Sequence, residues 1–531
     1  MSSVSSITAH HTTNPISLTK QQRQLLLLTA AVSSGCGLAA ELLLGTLTSY
    51  LVGAQALAYG VAVGGFLASM GLGAYLSRFV ANRKQITPIE KQRQLINSFF
   101  TIEILLAPLV ATIPLCLFVL FTLNGPVWIG LIFSTLILGI LSGMEVPLLT
   151  RLIELDAQDL SDSLAGVLAL DYVGALAGSL LFPAILLPWI GLLPSAFVIG
   201  SAPAWMVFLL ARAFPQMKPW RYIGLAIAIA LCIITPTVLP FSSKLENKLY
   251  KAPVVWRSQS PYQRIVLTRY GQDTRLFLNG ELQLSTVDEY RYHEALIHPA
   301  IAAANQSGHS PKNVLLLGAG DGMALRELLK WPSIENITLI ELDPAVVKLA
   351  QTQSSLVQFN QNALNHPKVS IQYGDAFKAI PKLTAQFDLI IADFPDPDEV
   401  AIAKLYSKGF YQQLRSKLTP HGTIVTQASS PFFAPKVISS ITKTLTATGL
   451  TAAPYSVSIP SFGPWGFVIA TNTPLTFNNL ELPIDTQFLT PELIPTLFVL
   501  PKDTIDTTVE INQLSDPVIV PYQSNPRWSV Y

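Results

Sequence analysis

Two short stretches of this 531-residue chain carry residue types that could do chemistry. Asn313-Val-Leu-Leu-Leu-Gly-Ala-Gly-Asp-Gly322 is an apolar run that ends in a tight glycine loop, and Ile337-Thr-Leu-Ile-Glu-Leu-Asp343 is a second apolar run that ends in acid. Glu341 lies 21 residues beyond Gly320. In an open α/β sheet, glycines such as Gly318 and Gly320 let the backbone approach a nucleoside, and a carboxylate at the end of the next strand bonds its ribose hydroxyls. Two more acids continue the pattern: Asp375, in Gly374-Asp-Ala376, and Asp393, directly after Phe387-Asp-Leu-Ile-Ile-Ala392. Asp396 follows within Asp393-Phe-Pro-Asp-Pro397, where the prolines restrict the loop that would hold both carboxylates.

A glycine turn alone is a weak sign, and many acids only cap helices; Asp343, before Pro344, reads as such a cap. Four carboxylates (Asp321, Glu341, Asp375 and Asp393) at four consecutive strand ends, in phase with a glycine loop, point to a nucleoside site instead. Asp321 narrows the ligand. Its charge sits where S-adenosylmethionine would place its own carboxylate, so the site suits a related nucleoside that lacks the carboxylate and carries a bare amine. Asp375 with Ala376 stands where an adenine amino group would be read.

The elements that must position these residues follow from the pattern. Strands at 313–317, 337–341, 369–372, 387–392 and 422–427 alternate with helices from about 322 and 344 and near 407–417 and 434–448, which predicts a mostly parallel, doubly wound sheet. Ahead of it, 262–270 and 275–284 read as short strands, Asn279-Gly280 as a hairpin turn, and 289–303 as a helix. The last segment, 471–531, is rich in Pro, Thr and Asp and reads as a surface wrap. There is no internal repeat.

The first half is different. Half of the chain is hydrophobic and only 13% is charged, against about 25% in soluble proteins. Between Leu25 and Ser77 the only formal charge is Glu41. Seven runs, roughly 25–50, 55–77, 98–123, 127–152, 163–191, 194–213 and 221–241, are long enough to cross a bilayer. The expected fold is therefore a multispanning α-helical membrane domain followed by an α/β Rossmann-like, methyltransferase-type domain with a small N-terminal β-hairpin subdomain. The boundaries are a polar tail over 1–24, membrane helices over 25–243, the hairpin subdomain over 251–303 and the Rossmann-like domain over 304–531. The polar start does not resemble a cleaved signal peptide, so the first span reads as an uncleaved anchor. Cys36, Cys116 and Cys232 all fall in apolar runs, which excludes a disulfide scaffold or a cysteine zinc site in the second half. A net charge of +1 gives no hint of a nucleic-acid partner.

Basic residues mark alternate connections: Lys20 and Arg23; Arg78, Arg83, Lys84, Lys91 and Arg93; Arg151; then Arg212, Lys218 and Arg221. The positive-inside rule puts these and the N-terminus in the cytoplasm, and seven spans would then leave the second half outside. Nucleotide-derived substrates and Lys244, Lys248 and Lys251 argue for the inside. The stretch 163–214 is where a span is most easily miscounted. The expectation is a multi-pass protein of the cell (inner) membrane with its enzyme domain in the cytoplasm.

Ser260-Pro-Tyr-Gln-Arg-Ile265, Asp288-Glu-Tyr-Arg-Tyr-His-Glu294, Gly318–Gly322, Glu341-Leu-Asp343, Gly374-Asp-Ala376 and Asp393–Pro397 occur in the order seen in spermidine synthases. Over about 250–531 the chain resembles these polyamine aminopropyltransferases, and as a whole it resembles the bacterial subgroup with a multispanning region ahead of the enzyme. The resemblance implies that Gln263, Glu341, Asp375 and Ala376, with the loop glycines, hold the methylthioadenosine part of decarboxylated S-adenosylmethionine. Asp321 would bind its aminopropyl amine, Tyr292, His293 and Asp396 would position a polyamine acceptor, and Asp393 would be the general base. It implies no metal and no cofactor beyond that co-substrate, and a homo-oligomer. Two positions depart from the family: Phe394 replaces a small polar residue, and Ser461-Phe-Gly463 stands where a Tyr-Pro often contacts the diamine, which puts putrescine as acceptor in question.

Rival readings remain at this level. An S-adenosylmethionine methyltransferase would share the sheet but conflicts with Asp321. A polyamine transporter or sensor would bind without turnover, against which the intact Asp393 and Asp396 argue. Glu41, Glu103, Glu145 and Asp171 fall in or near the apolar spans, where acids are costly. They could hold a polyamine cation or a proton. The plainer reading, favoured by sequence and most of all for Glu103 and Glu145 near span ends, is that they face loops, sit protonated or join helices. Gly60, Gly64, Gly65, Gly71 and Gly73 suggest close helix packing.

Overall fold

A computed structural model describes residues 18–52, 55–81, 87–123, 125–155 and 160–524. Most of the polar tail, and the basic pair Arg83 and Lys84, lie outside the described residues. The chain divides into two compact units, Met1–Val254 and Val255–Tyr531.

The apolar runs of the first unit become seven helices long and apolar enough to cross a membrane. They are α1 (Lys20–Val52), α2 (Gln55–Ser77), α3 (Pro88–Thr122), α4 (Val127–Ile153), α5 (Leu160–Leu181, continued by short helical turns to Ile190), α6 (Leu192–Ala213) and α7 (Lys218–Leu249). Gly191, at φ 85°, breaks the doubtful stretch into two helices, so the count of seven stands among the described residues. α3 starts earlier than its apolar run suggests. Thr87 accepts from the Glu90 backbone and Glu90 reaches back to Thr87, a capping box that satisfies the free N–H groups of the first turn. The Arg151 guanidinium donates to the carbonyls of Ser77 (2.9 Å) and Val80 (2.8 Å), closing the C-terminal end of α2.

Close packing in this unit uses mostly other glycines than the sequence suggested. A Cβ added to Gly60, Gly64 or Gly71 would meet nothing within 4 Å, because these glycines lie on the outward face of α2. Gly65 meets Thr135, and a Cβ on Gly73 would run into the Ile140 backbone of α4. Backbones come close between α2 and α4, at Gly139 and Gly143, between α1 and α5, at Gly35, Gly174 and Gly178, and also between α3 and α6 at Gly200 and α6 and α7 at Gly224.

The second unit holds two sheets. β1 (Val254–Gln259), β2 (Arg264–Tyr270), β3 (Asp273–Leu278) and β4 (Glu281–Ser285) form an antiparallel meander in that order. Asn279 and Gly280 take φ of 51° and 94°, as a tight hairpin turn needs, and this splits the run 275–284 into two strands. Helix α8 (Glu289–Gln306) leads to β5 (Asn313–Gly318), α9 (Met323–Leu329), β6 (Asn336–Glu341), α10 (Pro344–Thr352), β7 (Val369–Tyr373), β8 (Phe387–Asp393), α11 (Lys408–Ser416), β9 (Leu418–Gln427), α12 (Pro435–Thr446) and the hairpin β10 (Thr451–Ile459) and β11 (Gly463–Thr471). The strand order is β10-β11-β9-β8-β5-β6-β7. β5 to β9 are parallel, and β11 runs antiparallel to β9. The doubly wound sheet was expected; the closing hairpin was not.

β5 reads as an unbroken apolar run because both its faces are buried. Val314 and Leu316 enter one core layer, Leu315 and Leu317 the other. The C-terminal segment does more than wrap the surface. Leu480, Leu489 and Ile494 are core residues, and the buried Glu294 carboxylate accepts from the backbone N–H groups of Gln487, Phe488 and Leu489.

The helix contacts set a sharp contrast. Gly143→Leu should lower the melting temperature of the detergent-solubilised protein, since overpacking costs about 1–3 kcal/mol or more. Gly64→Leu should leave it close to wild type, and thermal scans of the two variants decide the point.

Candidate active site

Strand order reverses between β5 and β8, and ligands of such sheets bind beyond the strand ends at that crevice. Gly318 and Asp393 are register partners there. Gly318 has φ 75°, and a Cβ on it would collide with the Asp393 carbonyl. Gly320 is held by a second contact: its Cβ would come 2.8 Å from Glu341 Oε2. The glycine loop is thus shaped by the two carboxylate-bearing strand ends beside it. Asp321 Oδ1 accepts from Met323 N–H (2.8 Å) at the start of α9, and the side chain stays partly exposed to the crevice.

On the β6 side, Glu341 Oε1 accepts from Asp343 N–H at 3.0 Å. Asp343 caps α10 through Ala345 N–H, as expected, and its other oxygen accepts from Ser260 Oγ (2.6 Å) and Gln263 Nε2 (3.0 Å). Gln263 is therefore tied to the strand end that carries Glu341. Burial lifts Glu341 from 4.5 to about 7, with Asp343 and Asp321 adding to the rise. Asp375 caps the short helix begun by Ala376, through Phe377 N–H, and its second oxygen is bound by Lys404 Nζ at 2.7 Å.

Around Asp393 the groups come from α8. Tyr292 Oη donates to Asp393 Oδ1 at 2.5 Å, and the ring packs on His293 and Phe467. His293 Nδ1 faces the Glu289 carbonyl (2.9 Å) and carboxylate (2.8 Å), both acceptors, so Nδ1 carries a hydrogen. Burial disfavours a charge on His293, but the bond to Glu289 and the fields of Glu289, Asp321 and Asp393 lift it to about 9. Arg326 grips Glu289 with two nitrogens (2.8 and 3.0 Å) and binds Glu327 through Nε. Burial raises Asp393 from 3.8 to about 6; His293 and Tyr292 oppose the rise and Asp321 adds to it.

Asp396 is surrounded by neutral donors: Gln427 Nε2 (3.3 Å), Ser429 Oγ (3.0 Å) and Gln523 Nε2 (2.7 Å). Burial lifts it to about 7. Ser429 is held at φ 57°, an uncommon conformation for a side chain-bearing residue, and its N–H bonds Gln427. Phe394 turns its ring into the core against Tyr406 and Phe410, while its carbonyl accepts from Gln427 and Tyr406. Its bulk is thus taken up behind the loop. Phe462 packs on Trp465 in the β10–β11 turn, and the neighbouring Ser461 bonds Asp288.

The Spermine/spermidine synthase domain model matches residues 289–480. The chain is 37% identical over 533 residues to polyamine aminopropyltransferase 1 of Streptomyces coelicolor, covering 97% of this chain and 96% of that protein. It is 34% identical over 510 residues to the polyamine aminopropyltransferase of Oceanobacillus iheyensis, covering 94% and 97%. The chain belongs to the polyamine aminopropyltransferase family. A solved spermidine synthase from Thermotoga maritima aligns over 47% of the chain at 25% identity, with a TM-score of 0.43. The likeness to whole relatives therefore includes the helical unit that precedes the aminopropyltransferase half.

Sequence reasoning missed Gln427, Ser429, Gln523, Tyr406 and Lys404. Gln523 lies 127 residues from Asp396 in a segment without periodicity, so nothing in the sequence could have found it. Glu289 lay within a motif already singled out, but its pairing with Arg326 depends on α8 meeting α9. In this aminopropyltransferase, Arg326→Met should cost about 3–5 kcal/mol by removing the guanidinium that pairs the buried Glu289 and Glu327, which leaves Glu289 with His293 alone. Chemical denaturation measures it.

Proposed function

We propose that this aminopropyltransferase moves the aminopropyl group of decarboxylated S-adenosylmethionine to putrescine, giving spermidine and methylthioadenosine. The reading rests above all on Asp393, a carboxylate at the strand-order reversal, bonded by Tyr292 and facing the loop that carries Asp321. Gln263, Glu341, Asp375 and Ala376, with Gly318 and Gly320, would hold the methylthioadenosine part. An adenine amino group would share or replace Lys404 on Asp375. Asp321 would take the donor's primary amine. Tyr292, His293 and Asp396 would line the acceptor, with His293 acting mainly through its positive charge on Asp393.

In the step itself, the acceptor nitrogen loses a proton to Asp393 and its lone pair attacks the aminopropyl carbon next to sulfur. The carbon–sulfur bond breaks, its electron pair stays on sulfur, and the sulfonium becomes a neutral thioether. Both reactants arrive as cations, so fixed carboxylates gather and align them, and placement supplies much of the rate. Asp393 at about 6 is ionised at neutral pH yet basic enough to accept a proton.

We also propose that the seven helices span the cell membrane and that the enzyme half faces the cytoplasm. Hydropathy, the source of both substrates, and Lys244, Lys248 and Lys251, which follow the apolar part of α7, support this. With seven spans it places the N-terminus outside, against the distribution of basic residues. Reporter fusions at both termini test it: a C-terminus active only with an exported reporter would refute the orientation.

Mass spectrometry of products should show spermidine and methylthioadenosine from putrescine with the decarboxylated donor only, and none with Asp393→Asn. A methylated product from ordinary S-adenosylmethionine would overturn the assignment of Asp321. The pH profile carries a further test. Asp393 and Asp396 must be ionised to receive cations and Glu341 to accept from the ribose hydroxyls, so kcat/KM should fall steeply below about pH 6–7, by more than one proton's slope. Tyr292→Phe removes a donor that favours the ionised Asp393 and should move this acid limb to higher pH.

A further inference from the structure

The helical unit holds acids that aminopropyl transfer does not use. Glu103 on α3 and Glu145 on α4 are 0% and 4% exposed. Sequence placed Glu103 near a span end, but α3 begins at Pro88, so Glu103 sits 15 residues inside it. Ser33 of α1 donates to Glu103 Oε1 at 2.5 Å, whereas Oε2 is buried with no hydrogen-bond partner among the described residues. Glu145 is bonded by Ser142, and the carboxylates of Glu103 and Asp171 both lie within electrostatic reach of it. Asp171 of α5 accepts from Ser34. No Lys or Arg occurs between Arg23 and Arg78, Arg93 and Arg151, Arg151 and Arg212, or Arg221 and Lys244, so no counter-charge is available at this depth.

A narrow cavity reaches Glu145. Ser33, Ser142 and Glu145 supply its polar wall, and Phe66, Leu106 and Val110 part of its apolar wall. It has room for roughly one water, which is also about the size of an ammonium head. On α1, Cys36 lines the cavity and Glu41 is buried five residues further on, while Lys20, Arg23 and Tyr50 lie toward its ends; α2 and α6 bring only Phe66 and Pro203 to the wall.

We infer that Glu103, Glu145 and Asp171 form a cation site in the helical unit whose ligand is the ammonium head of an alkylamine. Carboxylate and serine oxygens are acceptors that match the three N–H donors of such a head. The mostly apolar wall does not offer the six to eight oxygens that a hard divalent metal ion takes. When no amine is bound, the carboxylates keep protons, because unpaired charge in an apolar bundle is costly. Each ammonium charge that enters releases one proton. The site uses none of the residues assigned to transfer, so it goes beyond the proposed activity.

The test is labelling of the full chain in lipid nanodiscs with dicyclohexylcarbodiimide, which reacts with protonated carboxylates in apolar surroundings, read by peptide mass spectrometry. Glu103 or Glu145 should be labelled, and putrescine or spermidine should slow labelling several-fold at constant ionic strength, equally in the Asp393→Asn variant. Glu103→Gln should keep aminopropyl transfer, which shows an intact fold, and lose the amine-protected label. No label, or a label indifferent to amines, would overturn the site. Equal protection by sodium chloride would overturn the amine as ligand. Protection lost in Asp393→Asn would also overturn the proposal, by tracing the effect to the transfer site.

Discussion

Negative charge held away from water must meet positive charge, donate its cost to hydrogen bonds, or take up a proton. The second unit sorts its buried acids by this constraint. Glu289 and Glu327 are met by Arg326, and Glu327 also by Lys330 and His298. Burial alone would raise Glu327, yet these partners hold it at about 2. Such acids are permanently charged and structural. Asp393, Asp396 and Glu341 receive hydroxyl, amide and backbone donors and no Lys or Arg partner among the described residues, and all three are raised. On the proposed assignment, Asp393 and Asp396 await cations that the protein does not itself provide and that the two substrates would supply, while Glu341 would meet the donor's ribose hydroxyls.

The same constraint explains the supporting architecture. Asp396 is oriented by Gln427, Ser429 and Gln523, which fix direction without neutralising charge, as the proposed role of accepting a mobile cation would require. His293 is the exception that serves Asp393. Its charge is secured from behind by Glu289, which Arg326 in turn holds, so the imidazole favours an ionised Asp393 through its field. Preorganised groups of this kind act on the transition state because they need no rearrangement when it forms. The C-terminal segment, irregular in outline, is needed for this. It brings Gln523 to Asp396 and packs against the core that seats α8.

What was legible in the sequence follows physical range. The parallel sheet could be read because buried strands are continuous apolar runs and their ends are marked by glycine and acid at short spacing. Asp343 as a cap could be read because capping is local. Gln523 and the Arg326–Glu289 pair could not, since each depends on segments brought together only by the fold. The β10–β11 hairpin was missed because Pro454 and Pro464 interrupt its pattern. Glu103 was misplaced because its helix is extended by a polar capping box that hydropathy does not register. The glycines of α2 showed that small residues mark a possible contact and not which face makes it: Gly73 packs, while Gly60 and Gly64 do not.

Raised carboxylates also link function to stability, with a definite sign. Asp393 and Asp396 ordinarily titrate near 3.8 and Glu341 near 4.5, and in the fold they move to about 6, 7 and 7. The folded state therefore binds these protons more tightly than the unfolded chain does. Their contribution is complete below the ordinary values and is lost as pH rises through the folded values. At neutral pH the empty site is a destabilised part of the molecule. A bound cation reverses this, because it favours the ionised form and binds the folded state alone. On the proposed assignment the transfer would move the sulfonium's charge onto the new secondary ammonium and leave a neutral thioether, while the proton shed earlier by the amine stays on Asp393. Carboxylates with that role would hold the uncharged nucleoside product less strongly than the donor, so capture and release would follow from one arrangement of charge.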